Sequence, residues 1–139
     1  MCENKSTDAP SKATHEGFQV ALSETIRDTA STVARASTFF EWSSFWLGDC
    51  NIGAARLDIF SDGTVEWRAK LMSKSGGDSW GARFEFLDNH GLSLWLHGWL
   101  YSPSLSPPWA VVDWVSLNQL FFPAHLFPGV ARVLMHSRC

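Results

Sequence analysis

The chain has 139 residues, of which 18% are charged, and a formal net charge of −3. This length fits one domain with a core large enough to fold unaided. No basic stripe is present, so we expect no nucleic-acid partner. No apolar run reaches the roughly 18 residues that a membrane helix requires, so we expect no membrane partner. The first residues lack the apolar stretch of a signal peptide, which predicts a cytoplasmic protein, or a secreted one if a signal has been removed.

The N-terminal part of the chain divides into two segments. Residues 1–17 are rich in polar residues without an apolar period, which predicts a disordered tail. Residues 18–37 carry apolar side chains at helical spacing, which predicts one amphipathic helix docked on the domain. Those apolar side chains are Phe18, Leu22, Ile26, Ala30 and Val33. A partly ordered leader is the alternative for this segment, and residues 18–139 are expected to form a single domain.

From Phe39 onward the pattern changes to short strands and turns. The clearest piece is a hairpin, in which residues 56–60 and 64–70 flank the turn signal Ser61-Asp62-Gly63. Further strand patterns cover residues 80–87, 92–101, 109–117 and 130–137. The fold expected is all-β, an antiparallel six- to eight-stranded barrel, closed or half-open, with the N-terminal helix. A two-sheet β-sandwich is the alternative.

Three cysteines occur, at positions 2, 50 and 139. Cys2 lies in the polar tail, whereas Cys50 precedes the first clear strand and Cys139 ends the last. A Cys50–Cys139 bridge would close nearly the whole domain and contribute about 4–5 kcal/mol in the loop-entropy model. A cytosolic location favours free thiols instead, so the sequence leaves both states open.

Several short motifs resemble a family of small all-β domains of unknown function, known from actinobacterial and fungal sequences. They are Trp42, Gly48-Asp49-Cys50, Phe60-Ser61-Asp62-Gly63-Thr64 and the terminal Cys139. The resemblance covers about the last hundred residues. It implies that Cys50 and Cys139 pair, as the corresponding cysteines do in secreted members, although this chain lacks their signal peptide. It implies no activity.

Eight tryptophans in a chain this short exceed what packing requires, and two of them flank a histidine. In the strand at residues 92–101, Trp95, His97 and Trp99 alternate with leucines. A face that combines indole and imidazole groups is typical of a small-molecule pocket. The alternative is that Trp95 and Trp99 pack under the N-terminal helix, with His97 hydrogen-bonded beside them.

Asp113 lies in an otherwise apolar strand. It therefore either faces water at an edge or is buried with a cationic partner, and burial would suit it to general acid or base catalysis. Arg132 and His136 share one face of the last strand and are the candidate partners. The catalytic candidates are thus Asp113, His97, Arg132 and His136, and a structural ion pair is the alternative.

The favoured function is binding of an apolar or aromatic small molecule in a tryptophan-lined barrel, with cofactor-independent isomerase or cyclase chemistry. The residues expected to line the pocket are Trp67, Phe84, Trp95, Trp99 and Trp114. No sequence-local metal motif, phosphate loop or nucleophile elbow is present, so no metal and no cofactor are expected. A non-catalytic carbohydrate-binding module and a homodimeric interaction protein remain the alternatives.

Overall fold

The structure is a computed structural model that describes residues 36–139, apart from the side chain at position 118. Nine strands lie in this part of the chain. One short 3-10 helix, Ala124–Gly129, lies between the eighth and the ninth strand. The strands are β1 (Ser37–Trp42), β2 (Phe45–Leu47), β3 (Cys50–Phe60), β4 (Thr64–Ser73), β5 (Gly81–Leu87), β6 (Ser93–Leu96), β7 (Leu100–Tyr101), β8 (Val112–Phe121) and β9 (Arg132–Arg138). Among these residues no helix is long and apolar enough to cross a membrane.

All strand pairs are antiparallel, and they form two sheets. In the first sheet the order is β1-β3-β4-β8, and β2 also pairs with β3. In the second sheet β5 is central, with β6 and β7 on one side and β9 on the other. The all-β prediction is therefore confirmed. The described strands do not close into a barrel, whereas the sandwich alternative fits them. The sequence did not separate the two architectures because inward–outward alternation occurs in both.

The predicted helix at residues 18–37 and the predicted tail at residues 1–17 lie outside the described residues, except for the last two positions of the helix. Of these two, Ser37 is the first residue of β1 and pairs with Phe60 of β3. The helix boundary at residue 37 is therefore wrong, because strand pairing already begins there.

The core lies between the two sheets and consists largely of aromatic rings. The Trp67 ring on β4 lies 4.8 Å from Phe84 of β5 and 5.5 Å from Trp114 of β8, measured between centroids. Trp42 of β1 approaches both Trp67 and Phe84 to 6.0 Å. These contacts join the inner faces of both sheets, so the alternation predicted for β4 and β5 is what brings the rings together.

A disulfide joins Cys50, the first residue of β3, to Cys139, which follows β9. The two Cα atoms are 6.3 Å apart and both residues are buried. Because β3 belongs to the first sheet and β9 pairs in the second, the bond fastens one end of the sandwich.

Candidate functional site

The outer face of the second sheet carries an unusual concentration of aromatic and charged side chains. Along β5, Phe84 and Phe86 are buried while Arg83 and Glu85 are half-buried on the opposite face. The register of β9 places His136 beside Arg83 and Arg138 beside Gly81. On the other flank, Tyr101 of β7 also pairs with Gly81. Period-two alternation therefore brings side chains from three strands onto one outward surface.

We define the Trp99 cluster as Trp99, Tyr101, Arg83 and Arg138. The guanidinium carbons of Arg138 and Arg83 lie 4.0 and 4.9 Å from the centre of the Trp99 ring. Trp99 and Tyr101 are stacked, with an interplanar angle of 23° and centroids 6.5 Å apart. Nη1 of Arg138 donates a hydrogen bond of 3.2 Å to the Tyr101 hydroxyl. Cation–π contacts and this hydrogen bond therefore hold the four side chains together.

Gly81 makes this arrangement possible because it has no side chain. A Cβ atom built on Gly81 would lie 2.7 Å from Cε1 of Tyr101 and 2.9 Å from Cγ of Arg138. Both distances are shorter than van der Waals contact, so a larger residue would push the Tyr101 ring and the Arg138 side chain off the sheet. The glycine thus forms the floor of the Trp99 cluster.

The Trp99 cluster carries two positive charges, of which that of Arg83 acts on the neighbouring Glu85 without a direct ion pair. Within residues 36–139, neither Arg83 nor Arg138 has a carboxylate within ion-pair distance. The neighbouring Glu85 is instead engaged by His136, whose Nε2 lies 3.0 Å from Oε1 of the carboxylate. Two guanidinium groups beside exposed aromatic surface form an arrangement that can accept an anion.

The environment of Glu85 favours its charged form. Partial burial on its own raises the pKa of the Glu85 carboxyl, but hydrogen bonds from Ser93 and His136 and the positive charges of His136 and Arg83 oppose this. Together they hold the pKa below its ordinary value. Glu85 is therefore a fixed negative charge at neutral pH that keeps His136 oriented.

We expect Glu85→Gln to lower the melting temperature at neutral pH and to have little effect in acid. A carboxyl whose pKa is lower in the folded state stabilises the fold above its unfolded-state pKa of about 4.3, and this contribution is lost as the pH falls through the folded-state value. Melting temperatures of both proteins measured from neutral pH down to about pH 3 test this. Glu41→Gln, which removes a carboxylate from the first sheet, is the control. A Glu85→Gln protein whose melting temperature is lowered equally at neutral and at acid pH would contradict the expectation.

Three residues predicted to line a ligand pocket lie in the core. Trp67 and Phe84 are fully buried, and Trp114 is nearly so. The Trp67 ring contacts both of the others, with centroids 4.8 Å from Phe84 and 5.5 Å from Trp114. A ligand that reached them would have to displace core side chains, so the structure gives these residues a packing role.

Asp113 lies on the opposite side of the sandwich from the Trp99 cluster. It projects from the outward face of β8, and its Oδ1 accepts a 2.7 Å hydrogen bond from Nζ of Lys70. Both side chains are exposed. The predicted partners Arg132 and His136 were therefore wrong, because β8 pairs with β4, which carries Lys70, whereas β9 pairs with β5. Asp113 and His136 therefore lie on different sheets of the sandwich.

The remaining predicted residues lie on β6, on β9 or between β6 and β7. The backbone N–H of His97 donates to the carbonyl oxygen of Phe84, and its Nδ1 lies 3.4 Å from the carbonyl oxygen of Gly98. Trp95 pairs with Phe86 and is partly exposed. Arg132 is exposed at the far end of β9. The acid–base roles assigned from the sequence to His97, Arg132, His136 and Asp113 stay predictions.

Two further surfaces expose apolar side chains. Trp46 and Trp109 meet at one end of the sandwich with ring centroids 6.2 Å apart, and Lys74 lies over Trp46. The outward face of β8, at the edge of the first sheet, exposes Val115 and Phe121. The homodimer suggested from the sequence stays a prediction.

Sequence reasoning identified Trp99 and His136 but missed Arg83, Tyr101 and Arg138. The sequence does show that Arg83 and Glu85 are two positions apart, so they face the same side of one strand. His136 and Arg138 do the same on another strand. Using this pattern requires knowing that β5 pairs with β9, about fifty residues further along the chain.

The chain matches a protein-family model. The model of the family of unknown function DUF6294 matches residues 56–139. The chain belongs to this family. The matched part begins within β3 and includes β4 to β9, so it contains the whole Trp99 cluster and Cys139, but not Cys50. No curated protein and no solved structure matches the chain.

Proposed function

We propose that this protein is a non-catalytic binding domain and that its Trp99 cluster binds a small ring-containing anion. The observation that carries the proposal is the pair of guanidinium groups on the Trp99 ring, neither of which forms an ion pair with a carboxylate among the described residues. A ligand ring can stack beside Trp99 and Tyr101, while its carboxylate or phosphate pairs with Arg83 and Arg138.

The local charge favours an anion over a neutral ligand. The whole chain carries a net charge of −3, yet Arg83, Arg138 and Arg132 all lie on the outer face of the second sheet. Glu85 on the same face is held by His136. A neutral sugar would gain stacking energy but would leave the guanidinium groups without an anionic partner. An acidic sugar falls within the proposed ligand class, so the proposal includes one kind of carbohydrate ligand.

A surface site fits the core packing better than the interior pocket proposed from the sequence. The rings expected to line that pocket contact each other at centroid distances of 4.8 and 5.5 Å. Tyr101, in contrast, is half-exposed, and Trp99 retains some exposed surface. The ligand would therefore bind without opening the core, and isomerase or cyclase activity is not part of this proposal.

The compartment belongs to the same proposal. Disulfides persist mainly in oxidising compartments, so the Cys50–Cys139 bond favours a secreted protein over the cytoplasmic location expected from the sequence. The proposed ligand is accordingly one that occurs outside the cell.

We expect phenyl phosphate or glucuronate to bind more tightly than phenol or glucose, with a change in tryptophan fluorescence. Arg138→Gln and Arg83→Gln should each weaken binding by about tenfold or more, because each removes charge-assisted hydrogen bonds to the anion. Binding should also weaken as salt is added.

The control variant is Arg68→Gln, which removes an arginine from the outward face of the first sheet. It should bind the anions as the unmodified protein does. If neither anion binds at millimolar concentration, or if Arg68→Gln weakens binding as much as Arg138→Gln, the proposed site is wrong.

A further inference from the structure

A second group of chemically competent side chains lies at the disulfide end of the sandwich. Cys50 begins β3, Cys139 follows β9, and Asp78 lies in the loop between β4 and β5. The two sulfur atoms and one carboxylate oxygen all lie within 4.8 Å of one another. Both cysteines are buried and Asp78 is partly buried. We call these three residues the Cys50–Asp78–Cys139 cluster.

The Asp78 side chain is held in place toward the sulfur atoms. Its Oδ2 accepts hydrogen bonds from Oγ of Ser73 at 2.6 Å and of Ser75 at 3.3 Å. Its backbone is fixed by an antiparallel bridge to the buried Leu105, whose N–H donates to the carbonyl oxygen of Asp78 at 2.7 Å. The carboxylate therefore has a defined position rather than sampling solvent.

The Asp78 carboxylate lies beside a sulfur atom that, in the disulfide, gives it no hydrogen bond. Oδ2 of Asp78 lies 3.6 Å from Sγ of Cys50, at hydrogen-bonding distance for a sulfur donor. A disulfide has no S–H to donate, so among the described residues only the Ser73 and Ser75 hydroxyls donate to Oδ2 while the disulfide is intact. A thiol, or a cation bound between the oxygen and the sulfur atoms, adds a further favourable interaction.

We propose that the reduced protein binds one Zn²⁺ through the sulfur atoms of Cys50 and Cys139 and a carboxylate oxygen of Asp78, with water as the fourth ligand. In a tetrahedral zinc site with bonds of roughly 2.3 Å to sulfur and 2.0 Å to oxygen, sulfur and oxygen ligands are about 3.5 Å apart. The 3.6 Å separation of Cys50 and Asp78 already matches this spacing. Two thiolates and a carboxylate are ligands that Zn²⁺ prefers.

The two sulfur atoms must move apart before the metal binds, to about 3.8 Å in the same tetrahedral geometry. Two thiol molecules supply the electrons. They reduce the protein disulfide to two thiols and are themselves oxidised to one disulfide, with their two protons passing to Cys50 and Cys139. Zn²⁺ then displaces these two protons to solvent as it binds both thiolates. The disulfide and the zinc site are therefore mutually exclusive states of the same cysteines.

This site differs from the sequence prediction of no metal. Its ligands come from positions 50, 78 and 139, so no short spacing motif reveals them, and the fold alone brings them together. The proposal is independent of ligand binding by the Trp99 cluster, which involves none of these residues.

The test uses the full chain carrying Cys2→Ser, so that the third cysteine cannot bind metal. The reduced protein is titrated with Co²⁺, a spectroscopic probe for tetrahedral zinc sites, and then with Zn²⁺ in competition. We expect one equivalent of Co²⁺ to bind with a thiolate-to-cobalt charge-transfer absorption, and the oxidised protein to show no such absorption. Asp78→Asn should weaken binding by about tenfold or more.

Asp113→Asn is the matched control, because it removes an exposed carboxylate from another part of the domain, and it should bind as tightly as the parent. Cys139→Ser should lose most of the charge-transfer absorption. The proposal fails if the reduced parent shows no such absorption, if the oxidised parent shows the same absorption, or if Asp78→Asn binds as tightly as Asp113→Asn.

Loss of the disulfide weakens the fold, so the melting temperature is measured as a second test of metal binding. Zn²⁺ should raise the melting temperature of the reduced parent and restore its near-ultraviolet circular dichroism if reduction has diminished it. Zn²⁺ should leave the oxidised parent unchanged. A reduced protein whose melting temperature does not respond to Zn²⁺ would overturn the proposal.

Discussion

Replacing Trp67 by alanine should destabilise the domain by about 3–5 kcal/mol, the cost typical of removing a buried large aromatic side chain. The Trp67 side chain is 0% exposed and lies between the two sheets. It contacts Phe84, Trp114 and Trp42, so its removal leaves a cavity lined by three other rings. This cost is a large fraction of the 5–15 kcal/mol that is usual for a domain, so much of the variant should unfold under mild denaturant.

Urea denaturation followed by far-ultraviolet circular dichroism measures this effect. The matched control is Trp109→Ala, because Trp109 is 58% exposed and packs chiefly against Trp46. Its backbone φ of 68° is unfavourable for alanine and tryptophan alike, so the substitution leaves that strain unchanged. We expect a loss below about 1 kcal/mol for Trp109→Ala. Equal losses for the two variants would show that Trp67 is not central to the core.

Reducing the Cys50–Cys139 disulfide should lower the free energy of unfolding by about 4–5 kcal/mol in the loop-entropy model. The sequence separation of 89 residues makes the closed loop nearly as long as the described domain. The bond also holds β3 of one sheet near the end of β9, so its loss frees one end of the sandwich. Local fraying there should precede global unfolding.

This prediction is tested by urea denaturation of the Cys2→Ser protein with and without a reducing agent, in the presence of a metal chelator. The chelator prevents zinc from replacing the lost cross-link. Cys50→Ser should match the reduced protein, and Cys2→Ser alone should match the parent. A reduced protein within about 1 kcal/mol of the oxidised one would show that the bond contributes little.

Local patterns predicted the hairpin of β3 and β4 and the strand β5, whereas the single strand predicted at residues 92–101 is divided into β6 and β7. The turn at Asp62-Gly63 and the alternation along β4 and β5 follow from side-chain size and polarity, and Gly63 adopts a φ of 91° that few other residues tolerate. The choice between barrel and sandwich could not be predicted, because each strand has one inward and one outward face in both. That choice depends on how β5 and β8 pair, which no local pattern specifies.

The candidate site was only partly predictable for the same reason. Trp99 stood out by residue type, whereas Arg83 and Arg138 are ordinary surface residues until β5 pairs with β9. For Trp67, in contrast, the residue type did not indicate where the side chain lies. Tryptophan suits both pockets and cores, and its place in the core depends on rings contributed by β1, β5 and β8.

The most direct test of the proposed function is a nuclear magnetic resonance titration of the labelled protein with phenyl phosphate, observing indole and guanidinium N–H signals. Our account predicts that the signals of Trp99, Arg83 and Arg138 shift together and saturate with one dissociation constant. Signals of the second exposed aromatic pair, Trp46 and Trp109, should not move. Shifts confined to that pair, or no saturable shift at the Trp99 cluster, would contradict the account.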